Sequence, residues 1–147
     1  MKNIFATLFI SLAFITLAKA DDRPATYDQL PAAAKTFIAE NYPADQISYI
    51  TVDDDIILPD YTVMLQSGVK IEFENNGSLS KISSSQNGIP AEIIPMQIRD
   101  YVRRNYPDAA YVSYEIDRNS YEVTLSNRLE LKFNSRFALV EIDDWRM

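Results

Sequence analysis

The 147-residue chain is predicted to be an α+β protein made of two tandem units, each a helix followed by four short antiparallel strands, with the helices packed on one face of the sheet. Three observations predict this. QLPAAAKTFIAENYP (residues 29–43) aligns with IIPMQIRDYVRRNYP (residues 93–107), so that Pro31 meets Pro95, Phe37 meets Tyr101, Ile38 meets Val102, and both segments end in Asn-Tyr-Pro. After a loop that is shorter in the second copy, YTVMLQSGVKIEF (residues 61–73) aligns with YEVTLSNRLELKF (residues 121–133), and Ile82 with Ile142. In both copies the apolar period changes from helical to strand-like after Asn-Tyr-Pro, and agreement in both order and period marks an internal repeat.

Lys2, an apolar run over residues 4–17 and the small-residue site Ala18-Lys19-Ala20 read as a secretory signal peptide over residues 1–20. The run is too short to span a bilayer comfortably and is followed by Asp21 and Asp22. The mature chain is therefore expected to be soluble, periplasmic or secreted, with no membrane insertion after cleavage. Removing Lys2 and Lys19 with the leader takes the formal charge from −7 to −9. Such acidity argues against nucleic acid or anionic membranes as partners. The remaining 127 residues (147 less 20) suit one compact domain, or two small units sharing a core. The division expected is residues 21–83 for the first copy, 84–92 for a linker and 93–147 for the second, with the polar stretch SSSQNG (residues 83–88) at the junction.

Pro31 and Pro95 suit a first helical turn, where a missing N–H costs nothing. Ala34, Phe37 and Ile38 form one apolar stripe, as do Ile98, Tyr101 and Val102. Asn-Tyr-Pro then stops each helix: Asn tolerates a left-handed cap, and Pro forbids another turn. Period-two alternation follows in Ile50 and Val52, in Val63 and Leu65, and in Val69, Ile71 and Phe73, with turns at Ser67-Gly68 and Asn76-Gly77. Strands of the second copy are expected near 111–117, 120–126, 128–134 and 137–143. One face is apolar and the other mixed polar, so the two sheets should join or lie side by side with one broad face open.

A signal peptide followed by two copies of the [LI]P...[FY][IV]...NYP pattern with four short strands resembles the PepSY-like family of extracytoplasmic proteins. The architecture is also similar to that of β-lactamase inhibitory proteins, whose open sheet grips an enzyme. The resemblance spans about residues 27–142. It implies a non-enzymatic, protein-interacting or inhibitor-like module whose partner is another extracytoplasmic protein, an enzyme or peptidase among them. The chain departs from the inhibitor pattern in having no cysteine, hence no disulfide, and in having no acidic residue in the turn Gln66-Ser67-Gly68.

Without histidine or cysteine the chain has no Ser-His-Asp or Cys-His catalytic set, no His-ligated zinc, and no haem or iron–sulfur ligation, so no cofactor is expected. Paired-carboxylate chemistry survives the elimination. Asp53, Asp54 and Asp55, with Asp60 beyond Pro59, form an acidic loop. Calcium is one reading; but consecutive aspartates in extended chain point alternately and no EF-hand glycine follows, which favours a solvated loop and no metal. Tyr42, Tyr61, Tyr101, Tyr106 and Tyr121 occupy repeat-matched apolar positions and read as core. Alternation puts Tyr49, Met64 and Tyr111 on the open face with Thr51, Ser113 and Glu115. Together with the acidic loop these are the candidate partner-binding residues, since aromatic side chains bring contact area at low entropic cost. The alternative is a small-ligand or cation carrier whose two copies enclose a pocket. Trp145 reads as an anchor for the terminus.

Overall fold

The computed structural model describes residues 22–144; the signal-peptide reading and Trp145 lie outside them. Its elements are β1 (Arg23–Pro24), α1 (Ala32–Asn41), β2 (Ile47–Val52), β3 (Tyr61–Leu65), β4 (Val69–Phe73), β5 (Leu79–Ser84), α2 (Met96–Asn105), β6 (Tyr111–Asp117), β7 (Ser120–Leu125), β8 (Leu129–Asn134) and β9 (Leu139–Asp144). The nine strands form one sheet in sequence order, every neighbouring pair antiparallel. The two halves join through β5 and β6, where Ile82 faces Tyr114 and Ser83 faces Ser113. Ser83 and Ser84 thus end β5 instead of opening a linker, and the Ser84 hydroxyl accepts hydrogen bonds from the Gln86 and Asn87 amides, turning the chain towards α2.

β1 has no counterpart among the strands expected. Its two residues pair with Thr51 and Val52, and Pro24, which has no N–H to donate, fits a sheet edge.

One apolar core lies between the sheet and the two helices. Val63, Ile71, Phe73, Ile82, Val123, Leu125, Leu131 and Phe133 come from the sheet, and Ala34, Ile38, Ile98 and Val102 from the helices. Each helix is pinned by one edge-to-face aromatic pair. Phe37 of α1 meets Phe73 at 5.7 Å and 77°, and Tyr101 of α2 meets Phe133 at 5.6 Å and 79°. That geometry sets the positive edge of one ring against the negative face of the other, and it fixes where the helix sits as well as how firmly. Tyr42, Tyr61, Tyr101, Tyr106 and Tyr121 pack against the core, as their matched apolar positions in the two aligned segments predict.

The helix ends differ in detail from the expectation. Pro31 and Pro95 lie just outside their helices, and their carbonyls accept the first helical bonds, from Lys35 and Arg99. Asn41 and Asn105 are not left-handed. Each remains helical and turns its side-chain amide back onto the carbonyl four residues earlier, Asn41 Nδ2 to Phe37 O at 2.9 Å and Asn105 Nδ2 to Tyr101 O at 2.8 Å. Tyr42 and Tyr106 then leave the helix while their N–H groups still bond to Ile38 and Val102. The stop therefore combines a side-chain clamp with a proline block.

The placement of Tyr111 on the open face is overturned. The β6–β7 register shifts between Tyr111 and Ser113, which pair with Leu125 and Thr124, so one extra residue, Val112, is inserted. Such a bulge reverses the facing of everything before it. Tyr111 consequently turns inward, 8% exposed, and joins the core. β2 carries the same shift between Ile47 and Tyr49, so the counterpart of Tyr111 is Ile47, not Tyr49.

Candidate binding surface

Strand register lays the open face out as two rows. One runs Thr51, Thr62, Glu72, Lys81, Glu115, Glu122, Lys132, Glu141. The other runs Tyr49, Met64, Lys70, Ser83, Ser113, Thr124, Glu130, Asp143. The charges are partly matched: Lys81 Nζ meets Glu115 Oε2 at 2.7 Å across the joint between the halves, and Lys70 pairs with Glu72 of its own strand at 2.6 Å. The hydrogen bond to Glu115 holds the Lys81 ammonium above its ordinary range. Ser113 and Thr124 bond hydroxyl to hydroxyl at 2.8 Å.

One pairing is unfavourable, because Glu115 sits directly opposite Glu122. Burial, then the charges of Glu130 and Glu115, hold the Glu122 carboxyl above its ordinary value of 4.5, against the opposing pull of Lys132 and Lys81. A carboxyl raised by folding binds its proton more tightly in the folded chain. Its contribution is most favourable below the ordinary value and is lost as pH rises through the raised one. Glu122→Gln is therefore expected to raise the melting temperature at about pH 7, with the gain fading below about pH 4. Thermal melts of both proteins across that range check it.

The Tyr49 and Met64 side chains face each other at the β2–β3 end of the sheet, Tyr49 half exposed at 50%. The same two strands carry the acidic loop. Asp53 is its clasp: its N–H donates to Asp60 O at 3.1 Å, and its Oδ1 accepts from the amides of Asp60 at 3.1 Å and Asp55 at 3.3 Å. Asp55 Oδ1 accepts from the Ile57 amide at 2.9 Å, and Asp54 is paired with Arg23 of β1. Burial first, then the Asp53 and Glu74 charges, raises the Asp60 carboxyl. These carboxylates shape a turn, and among the described residues no group of three or more acidic side chains is arranged to hold a metal ion.

What the clasp presents is apolar. Ile56, Ile57 and Leu58 are 97%, 83% and 56% exposed at the loop's outer end. The triplet lies inside DDDIILPD, among the acids that dominate that segment's sequence. An aliphatic triplet placed where no helix or strand can bury it was the available signal. The seven sequence candidates thus divide. Tyr49 and Met64 come together, Asp53, Asp54, Asp55 and Asp60 form the loop beside them, and Tyr111 lies apart under α2.

A cleft of about 530 Å³ lies on the helix side, lined by residues between 91 and 111. It belongs to the second half of the chain and is not enclosed between the halves. No helix among the described residues is long and apolar enough to cross a membrane.

A nine-stranded antiparallel sheet with helices on one face and a broad polar face on the other defines the class, an open-faced α+β protein. The chain belongs to the PepSY-like family, described as "Putative beta-lactamase-inhibitor-like, PepSY-like", which matches residues 17–57 and 59–141. Three solved structures share the fold. A "putative calcium-regulated periplasmic protein" of Bacteroides thetaiotaomicron is 36% identical, with a TM-score of 0.80 over 84% of this chain and 97% of that one. A periplasmic protein of the DUF2874 family from Bacteroides vulgatus is 35% identical, with a TM-score of 0.80 over 84% and 97%. Another periplasmic protein from Bacteroides vulgatus is 28% identical, with a TM-score of 0.78 over 84% and 100%. Comparison with curated proteins gives no match. Like these neighbours the chain is extracytoplasmic, periplasmic or secreted.

Proposed function

We propose that this chain is a non-enzymatic binding module of inhibitor-like type, built from two copies of one helix-plus-four-strand unit, that engages another extracytoplasmic protein through the β2–β3 loop and the adjoining Tyr49–Met64 patch. The observation that carries the reading is the exposure of Ile56, Ile57 and Leu58 within a collar of aspartates. Three adjacent aliphatic side chains held in water by a hydrogen-bonded turn are unfavourable for an isolated protein, and contiguous exposed apolar surface marks interaction sites. The acidic collar selects a partner pocket that is apolar within and lined at its mouth by lysine or arginine, since complementary potential favours encounter and register.

The test is affinity capture from an envelope extract, followed by titration of the enriched partner. The Ile56→Asp, Ile57→Asp double variant is expected to lose about 2 kcal/mol or more of binding, the scale of a buried anchor. Its melting temperature should hardly move, because side chains so exposed contribute little burial to the fold. A partner retained at full affinity by the folded variant sinks the proposal. The Bacteroides thetaiotaomicron neighbour is named for calcium regulation. In this chain Asp53 and Asp55 spend carboxylate oxygens on backbone amides and Asp54 pairs with Arg23, so millimolar calcium is expected to leave the melting temperature unchanged.

A further inference from the structure

The cleft beside α2 carries chemistry unlike the rest of the molecule. Its floor is Val102, Tyr106 and the buried Tyr111, its rim includes Met96 at 63% exposure, and Arg99 and Arg103 project from α2 along it. About 530 Å³ lies within the range of small-molecule pockets, which are mostly apolar with a few convergent polar groups. In a chain of formal charge −7 this spot is cationic. Asp100 neutralises Arg103, at 2.6 Å, so two guanidiniums and one carboxylate leave one net positive charge. Arg99 Nε is buried without a hydrogen-bond partner among the described residues. Leaving that donor unpaired is costly, and because Nε itself is closed off, it is the terminal nitrogens of the part-exposed Arg99 side chain lining the cleft that are open to an occupant. The Tyr111 phenol lies near enough to feel both guanidiniums, which oppose the upward pull of its burial.

The first half of the chain supplies the comparison. Offset by the spacing of the two Asn-Tyr-Pro stops, Arg99 corresponds to Lys35 and Ala91 to Tyr27. There the cation is satisfied: Lys35 Nζ lies 5.4 Å from the centre of the Tyr27 ring and donates to Asp28 O at 3.2 Å. In the second half the residue that supplies the ring is an alanine, and the cation is the wider, flatter guanidinium. What Tyr27 and Asp28 give to Lys35 is what Arg99 lacks: an aromatic face and an anionic or carbonyl oxygen.

We propose that this cleft binds a small aromatic carboxylate, its ring occupying the position that Tyr27 takes in the first half and its carboxylate accepting hydrogen bonds from Arg99. A guanidinium stacks on aromatic faces and pairs with a planar carboxylate through two parallel bonds, which suits it to this ligand better than an ammonium. One net positive charge matches a monoanion. The cleft opens on the helix side of the sheet, so it is separate from the loop and open face proposed above for protein binding.

The probe is 3-(4-hydroxyphenyl)propionate, titrated into the purified protein by calorimetry and thermal shift beside its neutral amide. Saturable binding is expected, with the amide weaker by about tenfold or more, as loss of a charge-assisted pair implies. Arg99→Gln should weaken the acid similarly. Ala91→Tyr should block it while keeping or raising the melting temperature, because the new ring reproduces the Tyr27 arrangement. No saturable binding, equal binding of acid and amide, or full binding by both variants would overturn the proposal. A blocked tripeptide ending in tyrosine with a free carboxylate separates two sources of the same chemistry: tighter binding than the free acid assigns the cleft to peptide C-termini, and weaker binding to free aromatic acids.

Discussion

Phe73→Ala is expected to destabilise the protein by about 3–5 kcal/mol, the scale for deleting a fully buried phenylalanine. Phe73 has no exposed surface, lies on an interior strand and packs edge-to-face against Phe37, so its loss opens a cavity and frees α1 from its main aromatic contact. Phe133→Ala should cost a similar amount, since that ring is 1% exposed and holds Tyr101 of α2 in the same way. The sheet runs unbroken through β5 and β6, and Ile82 and Tyr114 are both buried at that joint. Either substitution should therefore lower the midpoint of one shared transition. Urea unfolding followed by tyrosine fluorescence and by far-ultraviolet circular dichroism should give coincident curves for both variants. Two separated transitions would mean that the halves fold independently and that the β5–β6 joint couples them weakly.

Much of this fold was legible because period and punctuation pointed the same way. Alternation of Val69, Ile71 and Phe73 predicts which side chains are buried, and Asn-Tyr-Pro predicts where both helices end. The readings that failed depend on relations between segments. The inward turn of Tyr111 follows from one extra residue opposite β7, and no pattern within residues 111–117 distinguishes a bulged strand from a regular one. The aligned segments held a clue, since Tyr111 corresponds to Ile47, an apolar residue just before the shift in β2. β1 was missed because two residues carry no period; it exists by pairing with Thr51 and Val52. At the candidate surface, Tyr49 and Met64 could be placed by alternation alone. The projection of Ile56, Ile57 and Leu58 could not, because it depends on how Asp53 and Asp55 fold the loop back upon its own amides.

The Gly77 turn joins β4 to β5 directly over the start of α1, and Gly77→Ala is expected to cost about 2–5 kcal/mol, from left-handed backbone strain together with overpacking. Its φ is +86°, and an added Cβ would lie 2.9 Å from the Ala34 backbone nitrogen and 2.9 Å from Pro31 Cβ. Neither neighbour can swing aside, so the turn or the helix must move. Gly68→Ala separates the two causes. That residue has the same φ, but its added Cβ would meet the Ser85 hydroxyl, an exposed side chain held there by a single long hydrogen bond to the Gly68 carbonyl at 3.3 Å and able to rotate away. Its cost should stop at the backbone strain, about 1–2 kcal/mol. The second half shows that the strain alone is tolerable: Arg128 and Phe137, the counterparts of Gly68 and Gly77, hold φ of 71° and 59° with full side chains, and Phe137 stacks on Tyr121 at 4.8 Å. Glycine is thus required at residue 77 by the approach of α1 more than by the turn itself. Urea denaturation of the two alanine variants decides it, and equal losses would assign the whole effect to backbone conformation.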